Sequence, residues 1–254
     1  MGSKSSSRPI VLVHGAWHGA WCWAAVQSAL DDRGVVSYAV DLPGHGASAA
    51  PLADLHGDAD HVGTVLDRLS LTDVVLVGHS YGGAVITDAA AGRSDLAHLV
   101  YLTAFALLAG ESVMDPLGAL PPETTALQAC MQSDDDGNFT IDPSGAVAAF
   151  YAECDPTVAH AAVARLGAQP MSTFTQPVRA ASSTVPSTYV FCARDEAIHP
   201  NHQAYLAQRC GARIDLDTDH SPMLSSVDEL ATILAGLAAP TGAAATDTPR
   251  RGAR

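Results

Sequence analysis

Lysine is almost absent from this chain. One occurs in 254 residues, Lys4, and thirteen basic residues face twenty-seven acidic ones, for a formal net charge of −14. Three of the thirteen, Arg250, Arg251 and Arg254, stand at the C-terminal end, so the rest is more acidic still. Such a surface repels phosphate backbones and anionic headgroups. That argues against nucleic acid or membrane as partners and for a neutral small molecule. Paired cysteine motifs are missing as well. Cys22, Cys130, Cys154, Cys192 and Cys210 are odd in number and scattered, with no C-x-x-C. Neither a metal site nor a redox pair is expected, and reduced thiols in a cytoplasmic protein are. No apolar run reaches the roughly eighteen residues of a membrane helix. The N-terminus lacks the apolar core of a secretory signal, which leaves the sequon Asn138-Phe-Thr140 without meaning. Met1-Gly-Ser-Lys-Ser-Ser6 fits a loose myristoylation pattern but reads as a polar leader. Charged residues make up 16% and hydrophobic ones 48%, so a compact globule is expected.

What the chain does have is Val74-Val-Leu-Val77 running into Gly78-His-Ser-Tyr-Gly82 and then the apolar stretch Gly83–Ala91. The apolar run predicts a strand buried on both faces, and the stretch after the turn predicts a helix. A G-x-S-x-G sequence between strand and helix places Ser80 on a strained turn with its hydroxyl exposed above the sheet. The helix N-terminus there favours an anion. Side chains at Gly78 or Gly82 would collide with the neighbouring strand or helix. Ser80 is therefore the candidate nucleophile, against the plainer reading of a glycine-rich turn.

The other segments fit the same architecture. Strands are expected at Ile10–Val13, Val35–Val40, Leu96–Thr103, Thr188–Cys192 and Arg213–Leu216. Helices are expected near 21–32, 58–69, 201–209 and 227–237, the first closed by Gly34. Strands alternating with helices give an α/β fold, a doubly wound, mostly parallel sheet of about six strands. Residues 9–104 and 186–238 form this core. Residues 105–185 lose the strand signal and read as a mainly helical cap insertion, with helices near 143–152 and 155–166. Residues 1–8 and 239–254 read as a disordered leader and tail.

In such sheets ligands sit at the carboxyl ends of the strands, so the partners of Ser80 must lie there. A serine hydroxyl needs a base. His220, just past the last strand, fits. His79 diverges from its neighbour Ser80, His14 positions a loop, and His45, His199 and His202 are rim or surface residues. A carboxylate must orient the imidazole. Asp195 and Glu196, just past Thr188–Cys192, both qualify by spacing. Asp219 adjoins the histidine and cannot reach its ring, and Asp41 comes too early in the chain. The oxyanion requires two backbone donors. The amide of Tyr81 supplies one, and the amide of Ala16, on the small loop His14-Gly-Ala16, supplies the other. Trp17 and Phe105, with the cap residues Phe150 and Tyr151, are candidates for the substrate pocket, although packing of the cap itself is the commoner role for the last two.

These residues resemble a known group. His14-Gly-Ala-Trp-His-Gly-Ala-Trp21, Asp41-Leu-Pro-Gly-His-Gly46, Gly78-His-Ser-Tyr-Gly-Gly83, Arg194-Asp-Glu-Ala-Ile198 and Asp219-His-Ser-Pro222 together look like an α/β-hydrolase, within it the plant methylesterase and hydroxynitrile lyase group with its bacterial serine esterase relatives. The resemblance implies Ser80 as nucleophile, His220 as base, Asp195 as the acid, the Ala16 and Tyr81 amides as oxyanion hole, a mobile cap, and no cofactor. The lyases of that group carry a lysine directly after the catalytic histidine. Here that residue is Ser221, which disfavours cyanohydrin cleavage. The expected activity is hydrolysis of a small, neutral, fairly hydrophobic carboxylic ester through an acyl-enzyme. The alternatives are C–C bond hydrolysis, perhydrolysis, a lactone or cyclisation step on the same triad, or a ligand-binding receptor on this scaffold. Dehalogenation is disfavoured because the elbow residue is serine rather than aspartate.

Overall fold

The computed structural model describes residues 7–240 except Ser183. The expected tail beyond 240 and the leader up to 6, Lys4 included, lie outside the described residues.

The chain opens with β1 (Ile10–Val13), α1 (Ala24–Asp31), β2 (Ser37–Val40), α2 (Leu55–Leu69), β3 (Val74–His79), α3 (Gly82–Ala89) and β4 (Leu96–Leu102). Between β4 and the next long strand come α4 (Met114–Gly118), α5 (Ala126–Cys130), β5 (Met131–Ser133), β6 (Asn138–Ile141), α6 (Pro143–Phe150), α7 (Pro156–Val163), β7 (Gln169–Pro170) and α8 (Ser172–Thr175). The chain then completes its core with β8 (Ser187–Cys192), α9 (Pro200–Ala207), β9 (Ala212–Leu216), α10 (Pro222–Ser225) and α11 (Val227–Leu237). Six strands form one sheet in the order β2-β1-β3-β4-β8-β9. Every pairing in it is parallel.

The two faces of the sheet follow from side-chain alternation. Val11, Val13, Val74 and Leu76 join the cluster under α2, α3 and the segment between β4 and β8. Ile10, Leu12, Val75 and Val77 join the opposite cluster, covered by α1 and α11. Strand β3 is buried along its whole length, because it lies centrally with helices on both faces. Burying one Val or Leu side chain contributes about 1.5–3 kcal/mol, so β3 anchors the turn that follows it.

Two local expectations changed. The helix expected over 21–32 opens as a 3-10 turn, Ala20–Trp23, before α1. The segment between β4 and β8 carries, besides five helices, a small antiparallel sheet β5-β6-β7. Its hairpin turns at Asp134-Asp-Asp-Gly137, where Gly137 has φ 79. An Asp-Gly pair between short extended runs is a hairpin signal, and it was readable in the sequence.

The turn after β3 is where backbone space is tightest. A Cβ at Gly78 would lie 2.4 Å from the Gly82 carbonyl oxygen, and one at Gly82 would lie 2.6 Å from that of His14. The strand, the helix and the end of β1 therefore meet only through glycine. Gly78→Ala is expected to lower stability by about 1–3 kcal/mol, the usual cost of overpacking. The urea midpoint measures it, and an unchanged midpoint would mean that the turn relaxes freely.

Candidate active site

Strand ends β1, β3, β4, β8 and β9 bring the candidate residues together. Ser80 follows β3 with φ 53, a left-handed conformation that non-glycine residues rarely adopt. The strain is held in place because Ser80 N–H donates to the Leu102 carbonyl and Ser80 O accepts from Gly83 and Phe105. Ser80 also lines a cavity of about 230 Å³, whose exposed surface is mostly apolar.

Asp195 is buried in the loop after β8, whereas Glu196 beside it is exposed. The choice that spacing left open is thus resolved by position. His220 Nδ1 donates to Asp195 Oδ2 at 2.7 Å, which makes Nε2 the unprotonated ring nitrogen. Four further residues bind the same carboxylate. Ala197 and Ile198 amides donate to Oδ1 at 2.6 and 2.9 Å. Gln203 Nε2 donates to Oδ2 at 3.3 Å, and so does the Thr103 hydroxyl. Thr103 and Gln203 were not read from the sequence. Thr103 ends β4 with φ 38, and that left-handed turn is invisible without coordinates.

Asp219 does not reach the imidazole. Its Oδ1 accepts from Ser221 N–H and the Ser225 hydroxyl, and its Oδ2 from Glu153 N–H. It pins the histidine loop to the segment between β4 and β8. His79 donates from Nε2 to the His220 carbonyl at 2.8 Å, and the two rings lie 4.6 Å apart. It supports the loop from beneath. His14 is also a support: Nδ1 donates to the Gly15 carbonyl and Nε2 accepts from Leu42 N–H.

The loop after β1 comes close to Ser80, since a Cβ at Gly15 would lie 2.8 Å from Ser80 Cβ. Ala16 lines the cavity. Among the described residues, neither the Ala16 nor the Tyr81 amide has a protein acceptor. Two unpaired donors beside a serine can receive an oxyanion. The Tyr81 side chain turns away and donates its hydroxyl to Asp58 Oδ2 at 2.7 Å.

Trp17 lines the cavity and does more than line it. It has φ 64. Its amide donates to Gln169 Oε1, its carbonyl accepts from Gly167 N–H, and its indole Nε1 donates to the Phe139 carbonyl. All three partners belong to the segment between β4 and β8, so that segment grips the loop carrying Ala16. Phe105 also lines the cavity. Phe150 and Tyr151 do not, which corrects the sequence expectation. The C-terminal end of α6 faces the β1 loop instead: the Phe150 ring lies 5.8 Å from Trp17 and 5.7 Å from His220, and the Tyr151 hydroxyl donates to His18 Nε2 at 2.7 Å. His45 and His202 are buried rather than surface residues. Gln169 covers His45, and His202 meets the Leu117 carbonyl. Ser221 is fully buried and is not among the residues lining the cavity. No group of acidic, histidine or cysteine side chains that could hold a metal exists among the described residues, and no described helix is long and apolar enough to cross a membrane.

Comparison with known proteins gives one consistent result. The model of a family described as the alpha/beta hydrolase family matches residues 10–233. The chain is 32% identical to the alpha/beta hydrolase nvfD of Aspergillus novofumigatus over 235 residues, 86% of this chain and 92% of that protein. A pyrethroid hydrolase from Sphingobium faniae superposes with a TM-score of 0.78 at 25% identity, covering 91% of this chain and 97% of the other. A methylesterase from Arabidopsis does so with a TM-score of 0.75 at 25% identity, covering 91% and 98%.

The buried titratable groups fix how stability depends on pH. Burial lowers His14 to about 3 and His18 to about 4, and holds His79 well below 6.5. Below the unfolded value of 6.5 the unfolded chain binds protons that these rings do not, so stability falls as pH drops from there toward 4 and 3. Burial raises Asp58 from 3.8 to about 7. Its folded form keeps a proton that the unfolded chain loses, so its stability is present at low pH and lost as pH rises from 3.8 through 7. The net expectation is a urea midpoint that falls between pH 6.5 and 4. Asp58→Asn should make that fall steeper, and an unaltered slope would mean that Asp58 is ionised.

Proposed function

The chain belongs to the alpha/beta hydrolase family, and from that premise we propose that it is a serine carboxylic-ester hydrolase. Its substrate is a small, fairly hydrophobic ester without negative charge, cleaved through an acyl-enzyme on Ser80. The observation that carries this reading is the buried Asp195–His220 hydrogen bond, set beside a left-handed Ser80 that lines an apolar cavity.

The steps follow from the tautomer. With Nδ1–H held by Asp195, the lone pair of His220 Nε2 takes the Ser80 proton as Oγ attacks the ester carbonyl. Negative charge moves onto the carbonyl oxygen, where the Ala16 and Tyr81 amides and the N-terminus of α3 receive it. Collapse of the tetrahedral intermediate passes the proton from Nε2 to the leaving alkoxide. Water then gives its proton to the same nitrogen and attacks the acyl-enzyme, and collapse of the second tetrahedral intermediate returns that proton to Ser80 Oγ and releases the acid. Asp195 stabilises the transient imidazolium. Residues 105–185 act as the cap that shapes the acyl and alcohol pockets. Cyanohydrin cleavage does not fit: where the lyases carry a lysine, Ser221 is buried, and no Lys or Arg lines the cavity.

A phosphonate ester tests the reading directly. Peptide mass analysis is expected to place the adduct on Ser80 and nowhere else, with Ser80→Ala unlabelled and inactive on aryl esters. Asp195→Asn should lower kcat by about 10⁴, as loss of the correct tautomer does in such triads, while Glu196→Gln stays within a few-fold of the parent. Labelling at another residue, or ester turnover by Ser80→Ala, would sink the proposal.

A further inference from the structure

The cavity that holds Ser80 has one formal charge on its wall. Glu123, from the stretch before α5, is the sole Asp, Glu, Lys or Arg among its lining residues. Exposure orders the cavity from floor to mouth. Ala16, Trp17, Ser80 and Phe105 are each at most 8% exposed, whereas the Glu123 side chain is 30% exposed and Met114 is 50% exposed. Ser80 therefore sits at the floor and Glu123 at the mouth, with Val113, Leu127, Phe139 and Phe174 contributing apolar wall.

No Lys or Arg pairs with the Glu123 carboxylate among the described residues. Oε1 accepts from Asn201 Nδ2 at 2.6 Å. The other near group is His199 Nδ1 at 3.8 Å, and that nitrogen already accepts from the Asn201 amide, so it offers Glu123 no proton. Oε2 has no protein partner among the described residues. A carboxylate half out of water with an open oxygen is a receptor for a donor, and most strongly for a charged one. The formal net charge of −14 adds a long-range field of the same preference. No Lys or Arg stands on the wall to receive a carboxylate or phosphate.

We propose that Glu123 is a specificity-determining residue that selects esters carrying a protonated amine, separated from the reacting carbonyl by an apolar skeleton long enough to run from Ser80 to the mouth. This rests on the Ser80 hydrolase reading and sharpens it at one end of the substrate. The ammonium would donate to Glu123 Oε2, and the apolar span would replace water along the aromatic wall. The acid product of an amine-bearing alcohol ester would find no cation to hold it and would leave.

Matched esters of one aryl acid test this: a dimethylaminopropyl ester and its carbon isostere, in which CH replaces the amine nitrogen. The same exchange is made on the acyl side with a common alcohol, and both are repeated with longer spacers. The quantity read is the ratio of kcat/KM for amine over isostere within each variant, which cancels any loss of folded protein. In the parent the ratio is expected to be about ten at low salt for at least one spacer and side, falling as salt is raised, because the pair is partly exposed. Glu123→Gln should bring that ratio near one, and Glu123→Lys should take it below one. A parent ratio near one for every pair, or a ratio that Glu123→Gln leaves intact, overturns the inference while ester turnover itself still supports the Ser80 reading. No turnover of any ester by the parent, with no phosphonate adduct on Ser80, overturns both.

Discussion

The site depends on two oxygens of one buried carboxylate. Asp195 receives hydrogen bonds from two amides of its own loop, from Thr103 at the end of β4, from Gln203 on α9 and from His220 after β9. A buried carboxylate that lacked these donors would cost several kcal/mol, which is why it is found with all of them or not at all. The requirement acts in both directions. It holds the imidazole in one tautomer, and it ties together the carboxyl ends of adjacent strands β4, β8 and β9. Gln203 also donates to the Cys192 and Ile198 carbonyls and accepts from Cys192 N–H, so the loop cannot shift without losing a whole set of bonds. Precise placement of His220 follows from that cost.

The second constraint comes from the other edge of the site. The loop after β1 is packed with histidines that burial keeps neutral, so each can donate from one nitrogen and accept at the other. His14 bridges Gly15 and Leu42, and His18 bridges Ala16 and Tyr151. Charged side chains in those places could not both donate and accept. Trp17 completes the arrangement by tying its backbone and indole to Gln169, Gly167 and Phe139. The left-handed Trp17 and the left-handed Ser80 both line the cavity, each held by bonds from elsewhere in the chain. Strained residues at a site survive only where the surroundings over-determine them.

How much of this the sequence carried depends on the range of the information. The sheet, the elbow and the strand-end positions of Ser80 and His220 were legible: β3 is a buried apolar run that leads straight into Ser80, and β9, though mostly exposed, ends shortly before His220. Asp195 and Glu196 are adjacent and chemically alike, so spacing could not separate them; burial did. His45 and His202 look like polar loop and helix residues. They are buried because Gln169 and Leu117 come over them from far along the chain, and no local pattern reports that. Phe150 and Tyr151 are candidates for the pocket or for packing of the cap by their place in the sequence, and the direction in which α6 points its last turn, a tertiary property, decides for packing. The β5–β6 hairpin is legible through Asp136-Gly137, a local turn signal inside a segment whose strand pattern is otherwise weak.

Substrate choice is separable from the chemistry because different parts of the chain supply them. Ser80, the Asp195–His220 pair and the Ala16 and Tyr81 amides stand just past the carboxyl ends of sheet strands, which the register of the parallel sheet holds in place. The wall at the mouth comes from the segment between β4 and β8, built of short helices and a small sheet, with Met114 and Met131 part-exposed at its rim. Side chains at the exposed rim accept replacement at little cost to the core, since Met114, Glu123 and Met131 lie outside the buried cluster that the same segment packs against the sheet. The same floor can therefore serve different esters across a family, and shared membership fixes the reaction class more firmly than the substrate. At the mouth of this chain's cavity stands Glu123, with no Lys or Arg partner among the described residues, in a sequence that holds a single lysine. On the proposed reading, electrostatics at the rim and apolar contact further in would set which ester approaches Ser80, while Ser80, His220 and Asp195 would act on whichever carbonyl comes to rest beside them.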